Sequence, residues 1–521
     1  MKQRVFSSLT PSLDCRTGQE WCDARPHPDP LPQEREQHLR VLLSRMAVRP
    51  NQPQDLSGDC ERFSLSLGER AGVRASVPQK SDGRFFRIHL PKTPANRILS
   101  LAGHLVMVLI ATVFSGCASG DRAAGLTVKP AAKPVPLRDV WIDADTGHCV
   151  VRLSRVPGES QSLYFHQNEF TASGDKLVFE NTDTRFNSQR TRDDRQFLTN
   201  RIYVCDFTTK KSKLLTDHGG KVILVMPQSR TVYHQRSNTL YSTHLDTRAT
   251  KTLAQLPPRW RVAAINADET LGAGSFLEPD AAQIDVSGPK SSWFNEIFEA
   301  ARPGGIFLVN LQTGATNVIH RGTNWFNHFQ FSPTDPGLLQ FCHEGPWHKL
   351  DRIWQIRTDG SGLRLMHART VTNEIAGHEW WSHDGQTVWF DLQMPKGETF
   401  FIGGVDVKTG EEIRYELQRD WWSVHYNSSW DGKLFAGDGG DSGMVAHAPD
   451  GKWIYLFTPQ ADGKLKAERL VNMSKHDYDL EPNVQFTPDG KRIVFRANFD
   501  GSAQTYAVEV ARADVRSLHK R

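Results

Sequence analysis

From about Val140 onward the sequence predicts an all-β fold, a seven-bladed β-propeller, and three observations predict it. A turn followed by a short alternating strand recurs at intervals of roughly 40 to 60 residues, as a blade repeat does. The recurring turn is Asp-Gly or a close relative, which supplies the positive φ that a tight hairpin needs. Helical periodicity is nearly absent, since only Ser291 to Glu299 reads as a helical insertion. Many similar antiparallel sheets hide their edges best by closing into a ring, which favours a propeller over a sandwich.

The elements follow in order. Residues 1–94 are rich in Pro, Arg, Gln and Ser without apolar periodicity, so they are expected to be disordered or to be translated sequence upstream of the true start. Residues 95–117 read as a lipoprotein-type signal: Arg97 precedes the apolar run Ile98 to Phe114, which ends in Ser115-Gly116-Cys117, with Cys117 as the residue to be acylated. A single membrane-spanning helix competes with that reading because the run approaches the ~18 apolar residues a bilayer needs. The Gly/Ala/Lys/Pro linker at 118–136 suits cleavage better than a stop-transfer flank. The working domain is therefore expected in the cell envelope, attached to the membrane only through a lipid on Cys117, or secreted.

The propeller is expected over 137–513, with a tail at 514–521. Phe170-Thr-Ala-Ser-Gly-Asp, Phe331-Ser-Pro-Thr-Asp, Trp381-Ser-His-Asp-Gly and Phe486-Thr-Pro-Asp-Gly each join an aromatic strand end to a turn and a second strand. Third strands follow at Ile202, Leu240, Ile306, Ile353 and Phe401. Blade starts fall near Tyr164, Val222, Val262, Asn327, His378, His425 and Pro482. Thr505 to Glu509 is expected to pair with a strand near Trp141 or Val150 and close the ring.

Composition narrows the function. With 63 Lys+Arg against 59 Asp+Glu and no long basic run, nothing calls for nucleic acid. Only Cys149, Cys205 and Cys342 follow Cys117, without CxxC spacing, so neither a disulfide framework nor a zinc site is expected. The histidines cluster at the predicted inner strands, in Tyr164-Phe-His166-Gln-Asn168, Asn327-His328, Cys342-His343-Glu344-Gly-Pro-Trp-His348 with Asp351-Arg352-Ile-Trp354, Gly377-His378-Glu379-Trp-Trp381 and Val424-His425-Tyr-Asn427. Trp380, Trp381, Trp421 and Trp422 are expected in blade cores rather than as sugar platforms, and Gly440-Asp-Ser-Gly443 as a turn.

The order and neighbours of these motifs resemble the oligogalacturonate lyases, a family of seven-bladed propellers that split short galacturonate oligomers by β-elimination. His-Glu-Gly-Pro and His-Glu-Trp-Trp are the specific segments, and the resemblance spans about Leu137 to Val508. It implies His378 as the Brønsted base, Arg352 as a substrate-binding and catalytic arginine, and His425 as a ligand of manganese. Substrate contacts are expected from His166, His328 and His343 as well. The chemistry wants such groups: a uronate C5 proton is hard to remove beside an ionised carboxylate, so a cation must neutralise that carboxylate while a neutral imidazole takes the proton.

One stretch departs from the family. Where it carries Gln-x-x-His-x-His before the last blade, this chain has Tyr478-Asp-Leu-Glu481-Pro-Asn483. Glu481 and Asn483 are expected as harder metal ligands, for manganese or calcium, with His476 as a substitute. The signal segment is a second departure, since the family's typical members are cytoplasmic. Two readings stand beside a lyase for pectin-derived uronate oligosaccharides: a lyase for another uronate polymer, and a non-catalytic envelope propeller of the Tol-system type that binds glycan or protein. Convergence of His378, Arg352, His425 and Glu481 or Asn483 on one cavity would separate lyase from binder.

Overall fold

The computed structural model describes residues 139–182, 200–216, 218–286, 290–444 and 447–513. The expectations for 1–94, the signal segment with Cys117, the linker and the tail lie outside the described residues, apart from the tail's neighbour Ala513.

Seven antiparallel sheets follow one another along the chain. Blade 1 comprises Glu159–Gln161, Lys176–Thr182, Arg201–Asp206 and Lys211–Thr216. Blade 2 comprises Lys221–Met226, Thr231–Arg236, Thr239–His244 and Thr250–Gln255. Blade 3 runs from Arg261–Ile265 and Leu271–Leu277 through the helix Lys290–Glu299 to Gly304–Asn310 and Thr316–Gly322. Blade 4 is Trp325–Phe331, Leu338–Glu344, Ile353–Arg357 and Arg364–Leu365. Blade 5 is Ile375–Trp381, Thr387–Gln393, Phe400–Asp406 and Glu412–Leu417. Blade 6 is Tyr426–Ser428, Phe435–Gly437, Trp453–Pro459 and Leu465–Asn472.

Blade 7 joins the two ends of the propeller. Gln485–Phe486, Arg492–Ala497 and Gln504–Arg512 continue into His148–Arg152, with Val140–Ile142 outermost. Val150 pairs with Val508, so the expected closure is present, and Trp141 lies one strand further out. Closure in this way knits the two ends into one sheet and leaves only short edges, Val140–Ile142 outermost and Gln485–Phe486 innermost.

The turn glycines do what their chemistry allows: Gly174, after Ser173, and Gly385, Gly432 and Gly490, each after an Asp, have φ between 66° and 70°, where a Cβ is strained. The strands after them bury alternating Leu, Val, Ile and Phe between blades, as at Leu177, Phe179, Val388 and Phe390. Each such side chain contributes roughly 1.5–3 kcal/mol when removed from water. Trp380, Trp381 and Trp422 are buried in this packing, in the expected core role. The first strands of neighbouring blades lie against one another and line the centre of the ring.

Candidate functional site

Two inner strands share a local irregularity that aims a histidine. Between Asn327 and Gln330 in blade 4, and between Gly377 and Trp380 in blade 5, the inner strand has one residue more than its partner. The extra residue forms a β-bulge. His328 and His378 sit in these bulges with φ of 49° and 46°, a conformation that costs a non-glycine residue energy and is kept where surroundings impose it. Blades 2 and 3 carry the same irregularity at Val222 and Val262. The bulge is thus a property of the repeat, and blades 4 and 5 place histidines in it.

Blade 1 contributes differently. Its inner strand pairs at Glu159–Gln161 and again through Phe170, and the chain between leaves the sheet as a turn closed by Gln167 N–H to Tyr164 O at 2.7 Å. Asn483 Oδ1 accepts from Phe165 N–H at 3.2 Å and Asn427 Nδ2 donates to Phe165 O at 2.9 Å, so blades 6 and 7 hold the turn in place. Tyr164, Phe165 and His166 consequently pack among His328, His378 and His425, with ring centroids 5.0 to 5.9 Å apart.

His425 is fully buried and held twice by Asp438, through its N–H at 2.7 Å and its Nδ1 at 2.8 Å. The carboxylate fixes a proton on Nδ1, so in the neutral ring Nε2 is bare. That buried nitrogen has no hydrogen-bond partner, and Glu481 Oε2 stands 3.7 Å from it. Burial disfavours charge on this ring, but Asp438 and Glu481 outweigh it and hold the pKa above the ordinary histidine value. Glu481 is itself held below the usual carboxylate range: burial opposes this, and His425, His378 and Arg496 overcome it.

His378 lies beside His425, ring centroids 4.4 Å apart, and against the edge of Trp347. Its Nδ1 faces Asp391 at 3.6 Å. Burial pushes its pKa below the ordinary value, against the pull of Asp391, so the ring is neutral at neutral pH. His166 is held neutral more strongly, at about 3, by burial and then by His328.

Arg352 is the third element. Its guanidinium is buried, donates from Nη1 to Glu344 at 2.7 Å and stacks on Trp347 at 4.3 Å. Nε and Nη2 are buried without a hydrogen-bond partner, an expensive state for charged donors that a bound carboxylate would relieve. Glu344 also accepts from Gly345 N–H and Trp347 Nε1, which fixes the hairpin between the second and third strands of blade 4. Burial raises the Glu379 carboxyl, but His328, 3.3 Å away, and Arg352 bring it below the usual range.

The structure therefore brings together His166, His328, His378, His425, Glu481 and, through Trp347, Arg352. It sets three expected residues apart. Asn483 spends its amide on Phe165 N–H and on Glu481 O, at 3.0 Å, and points no free oxygen at His425. His476 has both ring nitrogens on the backbone, Leu480 O and Asn498 N–H. His343 stacks on Trp354 and reaches Asn324 at 3.4 Å, away from the inner cluster. Asp438, Asp391 and Glu379 were not assigned roles from sequence. Only Glu379 had a signal there, as the neighbour of His378.

A divalent ion has a fitting pair of donors in His425 Nε2 and the Glu481 carboxylate, one imidazole nitrogen and one anionic oxygen. Among the described residues the one group of three close ligand atoms is His328, Cys342 and Glu344. That group suits a cation poorly: Glu344 is already engaged by Arg352, and burial raises the Cys342 thiol far above its ordinary pKa.

Comparison with known proteins bears on the family and the fold. The sequence profile of the oligogalacturonate lyases matches residues 132–514. An oligogalacturonide lyase of Pectobacterium atrosepticum is 26% identical over 395 residues, 71% of this chain and 95% of that protein. An oligogalacturonate lyase of Dickeya dadantii is 25% identical over the same coverage, 71% and 95%. A solved oligogalacturonate lyase in complex with manganese superposes with a TM-score of 0.60 at 24% identity, covering 72% of this chain and 96% of that one, a likeness of fold.

Proposed function

The chain belongs to the oligogalacturonate lyase family, and on that premise we propose that it cleaves pectin-derived uronate oligosaccharides by β-elimination, with His378 as base and Arg352 as the carboxylate grip. The observation that carries the reading is the pairing, in one inner cluster, of a buried neutral imidazole with a buried guanidinium that has two unpaired donors.

The substrate carboxylate meets Arg352 Nε and Nη2, which satisfies those donors and withdraws charge from the carbon to be deprotonated. Trp347, between Arg352 and His378, fixes the distance from carboxylate grip to base. The charge of Asp391, 3.6 Å from Nδ1, favours the proton of His378 on that nitrogen, so Nε2 takes the C5 proton, the C4=C5 double bond forms as the bond from C4 to the glycosidic oxygen breaks, and that oxygen takes a proton from water. His425 Nε2 and the Glu481 carboxylate would hold a divalent cation, which would supply positive charge beside the same carboxylate. Its identity as manganese or calcium turns on Glu481, a hard oxygen donor where the family has histidine. Tyr164 closes one side of the cluster; burial first, then Glu481, raise its pKa well above 10, so it stays a neutral phenol.

Incubation of the protein with digalacturonate and Mn²⁺ tests the proposal through the ultraviolet absorbance of the unsaturated product. A rise abolished by EDTA and by His378→Ala is expected. Absence of any rise on galacturonate or other uronate oligomers would overturn it.

The N-terminal reading is retained as a proposal of its own: export with acylation at Cys117. Metabolic labelling with palmitate, lost in Cys117→Ser, is the expected outcome.

A further inference from the structure

Outside the inner cluster, a cavity of about 640 Å³ runs over blades 1 to 4, beginning at Gln167 and Asn327. These two residues adjoin His166 and His328, whose rings are 5.6 Å apart, so the cavity starts one residue from the reacting centre. Arg201, Lys221, Arg236 and Arg261 line it. A second cavity of about 550 Å³ shares Arg261, Ser275, Trp325 and Phe326 with the first and adds Arg259 and Arg302. Among the described residues, neither lining contains an aspartate or a glutamate.

Arg261 donates to the Trp260 carbonyl at 2.9 Å. Lys221 meets Glu180 at 2.9 Å, whereas Arg236 donates to a neutral group, the His218 carbonyl, at 2.8 Å. An aromatic wall accompanies the cations. Trp325 is half-buried, lines both cavities and is buttressed by Trp293 and Phe294 of the helix Lys290–Glu299, at ring distances of 6.4 and 5.4 Å. The same helix packs Phe298 against Gly345, beside Glu344, where a Cβ would stand 2.4 Å from the ring. One insertion thus braces both the aromatic wall of the groove and the hairpin that carries Arg352.

We propose that this groove is an accessory subsite for the additional uronate units of oligosaccharides longer than a disaccharide, with Arg236 and Arg261 on their carboxylates and Trp325 under a sugar ring. The inference rests on the reading of the protein as a uronate lyase. A chain of sugars with one carboxylate each is a polyanion with apolar ring faces, and the groove offers what both features require. Each exposed arginine contributes little by itself, so the gain comes from several acting together and weakens with salt.

The double variant R236E/R261E is compared with the natural protein on digalacturonate and on hexagalacturonate. The expected result is a rise of about tenfold or more in KM for the hexamer, with digalacturonate kinetics unchanged and the difference shrinking at high salt. R236Q/R261Q should give a smaller effect in the same direction. Unchanged hexamer kinetics, or equal losses on both substrates, would overturn the proposal. Should neither substrate be cleaved, the lyase reading fails, and calorimetric binding of hexagalacturonate still decides the groove: binding lost in R236E/R261E supports it, and no binding or unchanged binding overturns it.

Discussion

Asp438 is the most informative residue to perturb, because three N–H groups converge on its buried carboxylate: His425 N and Nδ1 at 2.7 and 2.8 Å, and Asn483 N at 3.1 Å. Asp438→Asn keeps the shape and replaces one acceptor oxygen with an NH₂ that must face at least one of these donors. If the amide oxygen keeps the His425 backbone N–H, its NH₂ confronts the ring at Nδ1. The ring escapes by moving its proton to Nε2, the atom that faces Glu481. A protonated Nε2 cannot bind a cation, so affinity for Mn²⁺ and activity should fall together, by about 10- to 100-fold, as for the loss of a partner behind a ligating histidine. Stability should drop too, by roughly 1–3 kcal/mol for the buried donor left unsatisfied. Calorimetric titration with Mn²⁺, product absorbance and urea denaturation without metal measure the three effects separately. Wild-type Mn²⁺ affinity and activity in Asp438→Asn would refute the assignment of Nε2 as the ligand atom; a stability loss with both unchanged would mean that Asp438 serves only the fold.

Other outcomes follow from the same geometry. His378→Ala should lower kcat by about 10²–10⁴ while substrate binding measured by calorimetry persists; equal activity would remove His378 from the reaction. Arg352→Met leaves Glu344 buried without its cation and should cost roughly 3–5 kcal/mol in urea denaturation, whereas the double change Arg352→Met with Glu344→Gln should recover part of that loss. His367, whose Nδ1 and Nε2 each lie 2.7 Å from a carboxylate, Glu412 and Glu374, ties the end of blade 4 to the start of the His378 strand. His367→Phe should destabilise by about 3 kcal/mol by leaving Glu374 Oε1 without its partner, Oε2 keeping Thr370 and Val371; a change below ~0.5 kcal/mol would refute this. Acid sensitivity should be pronounced: burial first pushes His234 and His476 down to about 4. Their folded pKa lies below the unfolded value of about 6.5, so their contribution is intact above that pH and is lost as pH falls towards 4, at most ~3 kcal/mol each. Urea midpoints at pH 7 and 4.5 would reveal it, and identical midpoints would exclude it.

The fold was largely legible because its signals are local. An Asp-Gly turn and an alternating strand announce a hairpin wherever they occur, and the predicted blade starts at Val222, Val262, Asn327 and His378 fall on inner strands. Tyr164 is instructive as the weakest: the inner strand of blade 1 begins earlier, at Glu159, and Tyr164 belongs to a turn that leaves the sheet. No local signal marks that departure, because what holds the turn out is Asn427 and Asn483, more than 250 residues away.

The site divides along the same line. His378 and His425 were singled out because they stand in motifs, His-Glu-Trp-Trp and Val-His-Tyr-Asn, that carry the family resemblance. Asp438 was not, since Ala436-Gly-Asp438-Gly reads as one more turn until Asp438 is seen facing His425 across the blade. Asn483 shows the converse. The resemblance puts it where a metal ligand is expected, but its positive φ of 57° and its bond to Phe165 make it a clamp on the blade 1 turn. The substitution that looks like a change of metal ligand in the sequence is thus split in space: Glu481 remains beside His425, whereas Asn483 holds the aromatic residues that roof the cluster. Asn483→His would restore the family's residue and remove that clamp, so it should loosen Phe165 and His166 rather than tighten metal binding. A gain in Mn²⁺ affinity with no loss of stability would show that a ligand role is accessible at this position.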